Sequence, residues 1–95
     1  MALIFEIVYH PQVVKDDIPR LSATWKTKIR DSIKEKLTTS PDFFGKPLRR
    51  SLKGYRKLRV GDYRIVFRIQ GQKVLIFAIL HRSVVYEEAE QRYEK

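Results

Sequence analysis

The segment from Tyr55 to Arg68 carries cations at alternating positions and reads as two short strands joined by a tight turn. Successive side chains of a strand point to opposite faces of a sheet. One face of this pair is therefore predicted to bury Leu58, Ile65 and Phe67. The opposite face is predicted to carry a row of cations suited to binding a polyanion, namely Lys57, Arg59, Arg64 and Arg68.

The whole chain is strongly basic for its size. Its 95 residues include 20 Lys and Arg against 11 Asp and Glu, which gives a formal net charge of +9. Such an excess on a small domain attracts nucleic acid or an acidic protein partner. The same excess also fits a generic solubilising surface, so composition alone leaves nucleic-acid binding open.

Length and composition bound the class of protein. The length fits a single domain over residues 1–95 with one modest core. The sequence has no cysteine, so neither a disulfide framework nor a thiolate metal site is available. The amino terminus lacks the pattern of a signal peptide, and no apolar run approaches the roughly 20 residues of a membrane span. We therefore expect a soluble, cytoplasmic protein that does not associate with membranes.

The amino-terminal half is predicted to hold one strand and two helices. Residues 3–9 are β-branched and aromatic, which favours a strand. Pro11 suits the first turn of a short helix, and Ser22 is placed to cap a longer one. Residues 40–54 are read as a loop. In the longer helix an apolar stripe recurs every four residues, at Trp25, Ile29, Ile33 and Leu37.

The carboxyl-terminal half is predicted to form a β-meander. Its strands fall at about 55–60, 63–70 and 73–81, and each is joined to the next by a tight turn that contains glycine. A short helix over residues 83–93 closes the chain. The predicted fold is α+β: an N-terminal strand, a helical hairpin, and a three-stranded antiparallel meander completing a four-stranded sheet, with the helices on one face.

This order of elements, together with two motifs, resembles the RelE/ParE superfamily of bacterial and archaeal toxins. The motifs are KLRVGDYRIVF at residues 57–67 and LHRSVVY at residues 80–86. The resemblance covers nearly the whole chain. It implies that the protein is the toxic half of a type II toxin–antitoxin pair, held silent in a heteromeric complex by an acidic antitoxin.

The superfamily contains two activities. RelE-like members are endoribonucleases that enter the ribosomal A site and cut the messenger RNA there, whereas ParE-like members act on DNA gyrase and have no known nuclease residues. The resemblance favours a RelE-like mRNA interferase that needs no metal or other cofactor and inhibits translation. The alternatives are a ParE-like gyrase inhibitor without nuclease activity and a degenerate member that only binds RNA.

The resemblance also implies roles for individual residues. In RelE-like toxins the cleavage chemistry is assigned to Lys and Arg residues of the sheet face and to a Tyr or His near the carboxyl terminus. Lys57 and Arg64 stand at the matching strand positions, where Lys57 is a candidate for the base and Arg64 for the clamp on the scissile phosphate, and which group is the general base and which the general acid stays open. The full set of catalytic candidates is Lys57, Arg64, Arg82, Tyr86 and His81.

Other residues are predicted to bind RNA without reacting. Tyr55 stands where the family pattern has a second lysine, and its ring is suited to stacking on a base. Structural roles remain open as well: Arg64 pairing with Asp62, or Tyr86 packing the last helix. Asp16, Asp17 and Asp31 are interpreted as acids on helix surfaces. The predicted RNA-binding set is Tyr55, Arg59, Arg68, Arg49, Arg50 and Lys53.

Overall fold

The computed structural model describes residues 4–93 and contains a five-stranded sheet. Strand β1 runs parallel to β5, and the other neighbouring strands are antiparallel. The α+β class and the meander are confirmed. The strands are β1 Glu6–Tyr9, β2 Lys46–Pro47, β3 Arg56–Val60, β4 Tyr63–Gln70 and β5 Lys73–His81, in the sheet order β1-β5-β4-β3-β2.

The sheet has one strand more than predicted, because two residues of the predicted loop, Lys46 and Pro47, pair with β3. The first strand begins at Glu6, and residue 3 of its predicted range lies outside the described residues. Gly61 and Gly71 occupy the two predicted turns with φ of 57° and 61°, a region that suits glycine. At Gly61 an added Cβ would also lie 2.4 Å from the Trp25 ring.

The helical elements are shorter and more varied than predicted. The Ser22 cap is confirmed, since its Oγ accepts a hydrogen bond from the backbone N–H of Trp25 at 3.3 Å. In the part of the chain from residue 4 to residue 93, no helix has the length and apolar character needed to cross a bilayer. The α-helices are α1 Ala23–Ser32, α2 Pro41–Phe44 and α3 Val85–Tyr93, with π-helical turns Val13–Asp17 and Ile33–Leu37 and 3-10 turns Ile18–Arg20 and Arg50–Leu52.

Helices cover both faces of the sheet, not one face as predicted. On one face, the helical hairpin (residues 13–37) packs on a core that includes Leu58, Ile65 and Phe67, as predicted. The opposite face of the sheet is called the α3 face here. On it, helix α3 and the 3-10 turn Arg50–Leu52 pack on a second apolar cluster. The reason is that β5 and the middle of β4, residues 65–67, are buried and apolar on both sides and need two covers. The second cluster contains Leu52, Val66, Phe77, Ala78, Leu80, Val85 and Ala89.

A buried ion pair ties α3 to the helical hairpin. The Asp17 carboxylate accepts hydrogen bonds from Arg92 Nη1 at 2.9 Å and Nη2 at 3.0 Å, and from the backbone N–H of Ile79 at 2.9 Å. Arg92 Nη1 also donates to the carbonyl of Phe77 at 2.8 Å. The pair thus supplies hydrogen-bond partners to the backbone groups of β5 that lie beyond the end of β1. The interpretation of Asp17 as a surface acid is wrong, because only 1% of this residue is exposed.

His10 lies beside this ion pair. Burial and the positive charge of Arg92 lower the pKa of His10, and the carboxylate of Asp17 partly offsets them. Its Nδ1 accepts a hydrogen bond from the backbone N–H of Gln12 at 3.0 Å, which also requires that nitrogen to be unprotonated. Because the pKa is lower in the folded than in the unfolded chain, the stability from neutral His10 is complete above about pH 6.5 and is lost as the pH falls below it.

Lowering the pH from about 7.5 to about 5.5 should therefore decrease the urea midpoint of the native protein. We expect this decrease to be larger than the decrease for His10→Asn. The asparagine amide oxygen still accepts a hydrogen bond from the N–H two residues later but does not titrate. An equal fall in the native protein and in His10→Asn would contradict this assignment.

Candidate functional site

The centre of the candidate site is a contact between Lys57 and Tyr86 on the α3 face. Because Leu58 points into the core beneath the helical hairpin, its neighbour Lys57 points to the opposite face. Lys57 Nζ donates to Tyr86 Oη at 2.5 Å and lies 5.2 Å from the centroid of its ring. Tyr86 stands in the first turn of α3 and is 43% exposed, so a ligand can reach the phenol.

A groove of about 370 Å³ lies along the outer edge of β3 and is called the edge groove here. It is open because β2 pairs only with Arg56 and Lys57, so residues 58–60 have β4 on one side and no strand on the other. Five of its seven lining residues are cations and none is an acid, so it presents an anion-binding surface. The lining residues are Lys36, Phe44, Lys46, Lys57, Leu58, Arg59 and Arg64.

Arg64 is held in the edge groove by the turn between β3 and β4. Its Nη1 donates to the carbonyl oxygens of Gly61 at 2.9 Å and Tyr63 at 3.0 Å. Within residues 4–93, no hydrogen bond or ion pair uses its Nε or Nη2, which leaves these donors for a ligand. The alternative pairing of Arg64 with Asp62 does not occur, because Asp62 Oδ1 instead lies 3.7 Å from Arg82 Nε.

The remaining catalytic candidates lie at different distances from this centre. The Arg82 backbone N–H donates to the Asp62 carbonyl at 2.8 Å, so Arg82 and Arg64 are anchored to the same turn. His81 is separated from Lys57 by the sheet. His81 on β5 is paired with Tyr63 on the neighbouring strand β4. The centroid of the Tyr63 ring lies 4.9 Å from that of Trp25, a residue of the helical hairpin. The structure therefore joins Lys57 to Tyr86, places Arg64 in their groove and Arg82 at its turn, and leaves His81 on the other face.

The predicted RNA-binding residues fall into three groups. Arg59 lines the edge groove, directly opposite Arg64 in the strand pairing. Tyr55 is half-buried, with its ring 4.9 Å from that of Phe77 and the Arg68 guanidinium 5.7 Å above it, so it packs in the structure and is not splayed out. The third group is exposed around the 3-10 turn beside α3 and consists of Arg49, Arg50 and Lys53.

The sequence reading missed two cations of the edge groove. Lys36 and Lys46 are not among the predicted site residues, and Lys46 falls in the segment that is predicted to be a loop. Their convergence depends on the pairing of β2 with β3, which involves only two residues of β2. A two-residue strand has no periodicity that a sequence pattern could detect.

Comparison with known proteins agrees with this architecture. The family model of the ParE toxin of the type II toxin–antitoxin system parDE matches residues 7–86. The toxin–antitoxin complex RelBE2 from Mycobacterium tuberculosis superposes with a TM-score of 0.78 at 26% identity, over 85% of this chain and 94% of that chain. No curated protein matches the chain significantly in sequence.

Two further solved structures share the fold at lower identity. The RelB–RelE antitoxin–toxin complex from Methanococcus jannaschii gives a TM-score of 0.65 at 22% identity, over 85% of this chain and 96% of that chain. A mutant of the Escherichia coli toxin RelE in its free state gives a TM-score of 0.62 at 21% identity, over 97% of this chain and 98% of that chain. With its family match over most of its length and this RelE-like fold, the chain belongs to the ParE toxin family, within the RelE/ParE superfamily of type II toxin–antitoxin systems.

Proposed function

We propose that this toxin is a metal-independent, ribosome-dependent endoribonuclease that cuts messenger RNA and thereby inhibits translation. The observation that carries the proposal is the bonded Lys57–Tyr86 pair at the edge of a groove lined by five cations. An ammonium and a phenol in contact provide groups that can give and accept protons, and the surrounding cations suit a phosphodiester. The RelE toxins among the structural neighbours support the same side of the superfamily.

Cleavage without a metal requires three events at one phosphodiester. The 2′-hydroxyl loses its proton and attacks phosphorus, the charge of the phosphorane is stabilised, and the departing 5′-oxygen gains a proton. The products are a 2′,3′-cyclic phosphate and a 5′-hydroxyl, so atoms and electrons balance without an external reagent. General acid–base assistance is typically worth about 10²–10⁴ in rate, and preorganised cations add electrostatic stabilisation.

The described side chains can be assigned to these events. The Lys57–Tyr86 pair exchanges protons with the substrate at the reacting oxygens. Arg64 stabilises the phosphorane through Nε and Nη2, because a guanidinium stays ionised and presents a fixed fork. Arg82, on the same turn, steadies the leaving oxygen.

An acidic antitoxin is the proposed partner in the silent state. Two structural neighbours are toxin–antitoxin complexes, and the net charge of +9 favours an acidic protein. Binding across the α3 face or the edge groove would keep RNA from Lys57 and Arg64. The ribosomal A site and its messenger RNA would be the partners of the free toxin.

Inhibition of DNA gyrase is the second candidate, favoured by the family model, whose description names ParE toxins. In this case the protein acts by binding alone, and neither Lys57 nor Tyr86 is required.

One experiment separates the candidates. Purified toxin is incubated with ribosomes programmed by a defined message, and in parallel with gyrase and supercoiled DNA. We expect cut message that ends in a 2′,3′-cyclic phosphate and no trapped gyrase–DNA breaks. Gyrase-dependent breaks with intact message would support the second candidate, and RNA binding without either effect would indicate a degenerate member.

A further inference from the structure

The cations of the edge groove are arranged in a way that opposes folding. In the strand pairing, Lys46 lies directly opposite Lys57, and Arg59 lies directly opposite Arg64. Directly opposed residues have Cβ atoms about 5 Å apart, and like charges in such pairs are destabilising. Within residues 4–93, none of the four forms an ion pair with a carboxylate. Two adjacent like-charge pairs without acids indicate a site that an anionic ligand completes.

The spacing of these cations suits a chain of phosphates better than a single anion. Lys57 and Arg59 are two residues apart on one strand, so their side chains emerge about 6.6 Å apart along β3. Lys46 on β2 and Lys36 on the helical hairpin extend the positive surface of the groove beyond β3 and β4. A polyanion with regularly repeated charges can therefore contact all of them at once.

An exposed aromatic pair stands beside this row of cations. Phe43 is 82% exposed, and its ring meets that of Phe44 edge to face at a centroid distance of 5.0 Å. Phe44 lines the edge groove, and Lys36 Nζ lies 5.5 Å from its centroid. Cations that track a backbone, combined with aromatic rings for stacking, are the combination that single-stranded nucleic acid binds.

The backbone of the turn that carries the aromatic pair is held by Arg56. Arg56 Nη1 donates to the carbonyls of Asp42 at 3.2 Å and Gly45 at 3.0 Å, and so clasps the turn that carries both rings. Gly45 is buried against Phe67, where an added Cβ would lie 2.3 Å from the ring. Phe43 is therefore exposed on a turn whose backbone is already ordered, so less backbone entropy is lost when a base stacks on its ring.

We propose that the edge groove and Phe43 form a binding site for single-stranded RNA that continues from the Lys57–Tyr86 pair. Phosphates on one side of the scissile bond contact Lys46 and Lys36, and a base stacks on Phe43. The inference rests on the proposed nuclease function, because it takes the bound strand to be the message that is cut. An acidic peptide is the other ligand that such cations attract, and its apolar side chains would also contact Phe43. The regular spacing of the cations along β3 favours the repeated phosphates of RNA.

Binding of a fluorescent 2′-O-methyl oligoribonucleotide tests this site, since such a strand cannot be cut by its own 2′-oxygen. Phe43→Ala is expected to weaken binding by about 5- to 100-fold and to leave the salt dependence unchanged. The double variant Lys36→Met/Lys46→Met is expected to lower the slope of log K against log salt by about 1.4, or 0.7 per phosphate contact. The matched controls are Val14→Ala and Lys15→Met/Lys73→Met, which replace exposed residues outside the groove. Both should bind the oligoribonucleotide with native affinity.

Native affinity in Phe43→Ala, or an unchanged salt slope in the double lysine variant, would overturn the RNA site. The RNA site would also be overturned if Phe43→Ala and Lys36→Met/Lys46→Met both lost binding to a glutamate-rich peptide but kept their binding to RNA. Cleavage on programmed ribosomes, measured separately, keeps the two proposals apart. A native protein that binds RNA through Phe43 but does not cut the message defeats the nuclease proposal alone, whereas cutting with no effect of Phe43→Ala on RNA binding defeats this one alone.

Discussion

Replacing Lys57 by methionine is expected to slow cleavage of the message on programmed ribosomes by about 10²–10⁴-fold. Methionine keeps an unbranched stem against the sheet but removes the ammonium that contacts Tyr86 Oη. The free energy of unfolding should change little, because the change also removes the repulsion with Lys46 across the strand pair. The measurement is single-turnover cleavage by native and variant toxin at equal ribosome occupancy.

The control for this variant is Lys73→Met, which removes an exposed lysine at the start of β5, outside the edge groove. Its cleavage rate should match that of the native protein. Tyr86→Phe completes a double-mutant cycle with Lys57→Met. If the two groups act as a unit, the double variant is no slower than the slower single variant. Native cleavage by Lys57→Met would remove this residue from the chemistry.

Replacing Asp17 by alanine is expected to lower the free energy of unfolding by about 3–5 kcal/mol. Arg92, a residue that is only 9% exposed, then has no counter-charge for its guanidinium, and the backbone N–H of Ile79 loses the carboxylate that accepts its hydrogen bond. A loss of this size is a large part of the stability of a small domain. Urea unfolding, followed by tryptophan fluorescence from Trp25, provides the measurement.

Two further variants keep this prediction testable if Asp17→Ala does not fold. Asp17→Leu/Arg92→Leu removes both charges and is expected to be more stable than Asp17→Ala, because no unpaired ion remains buried. Glu88→Ala breaks the exposed contact with Arg20 and should cost at most about 1 kcal/mol. If Asp17→Ala loses no more stability than Glu88→Ala, the buried pair does not hold α3 in place.

Local sequence patterns predicted the elements that form through neighbouring residues. Alternation of cations and apolar residues placed Lys57 and Leu58 on opposite faces of β3, and Ser22 marked the start of α1. The continuous apolar run at residues 74–80 of β5 is typical of a strand covered on both sides. Helix α3 covers the second face of β5 because of the direction in which the chain turns after His81. No periodicity in the sequence specifies that direction.

The parts that could not be predicted depend on contacts between distant residues. Asp17 and Asp16 look alike in the sequence, and the partner that buries Asp17 lies 75 residues further along the chain. The contact of Lys57 with Tyr86 spans 29 residues and requires α3 to lie on the correct face. His81 is a catalytic candidate because an imidazole suits proton transfer, but its pairing with Tyr63 of β4 places it on the face opposite Lys57.

The most direct test of the proposed chemistry is a message in which one ribose at the mapped cut site lacks its 2′-hydroxyl. The 2′-oxygen is the nucleophile in the proposed reaction, so this message should load on the ribosome, bind the toxin and stay intact at that position. The unmodified message should be cut in the same assay. Cutting of the 2′-deoxy position at the native rate would contradict a nuclease built on Lys57, Tyr86 and Arg64.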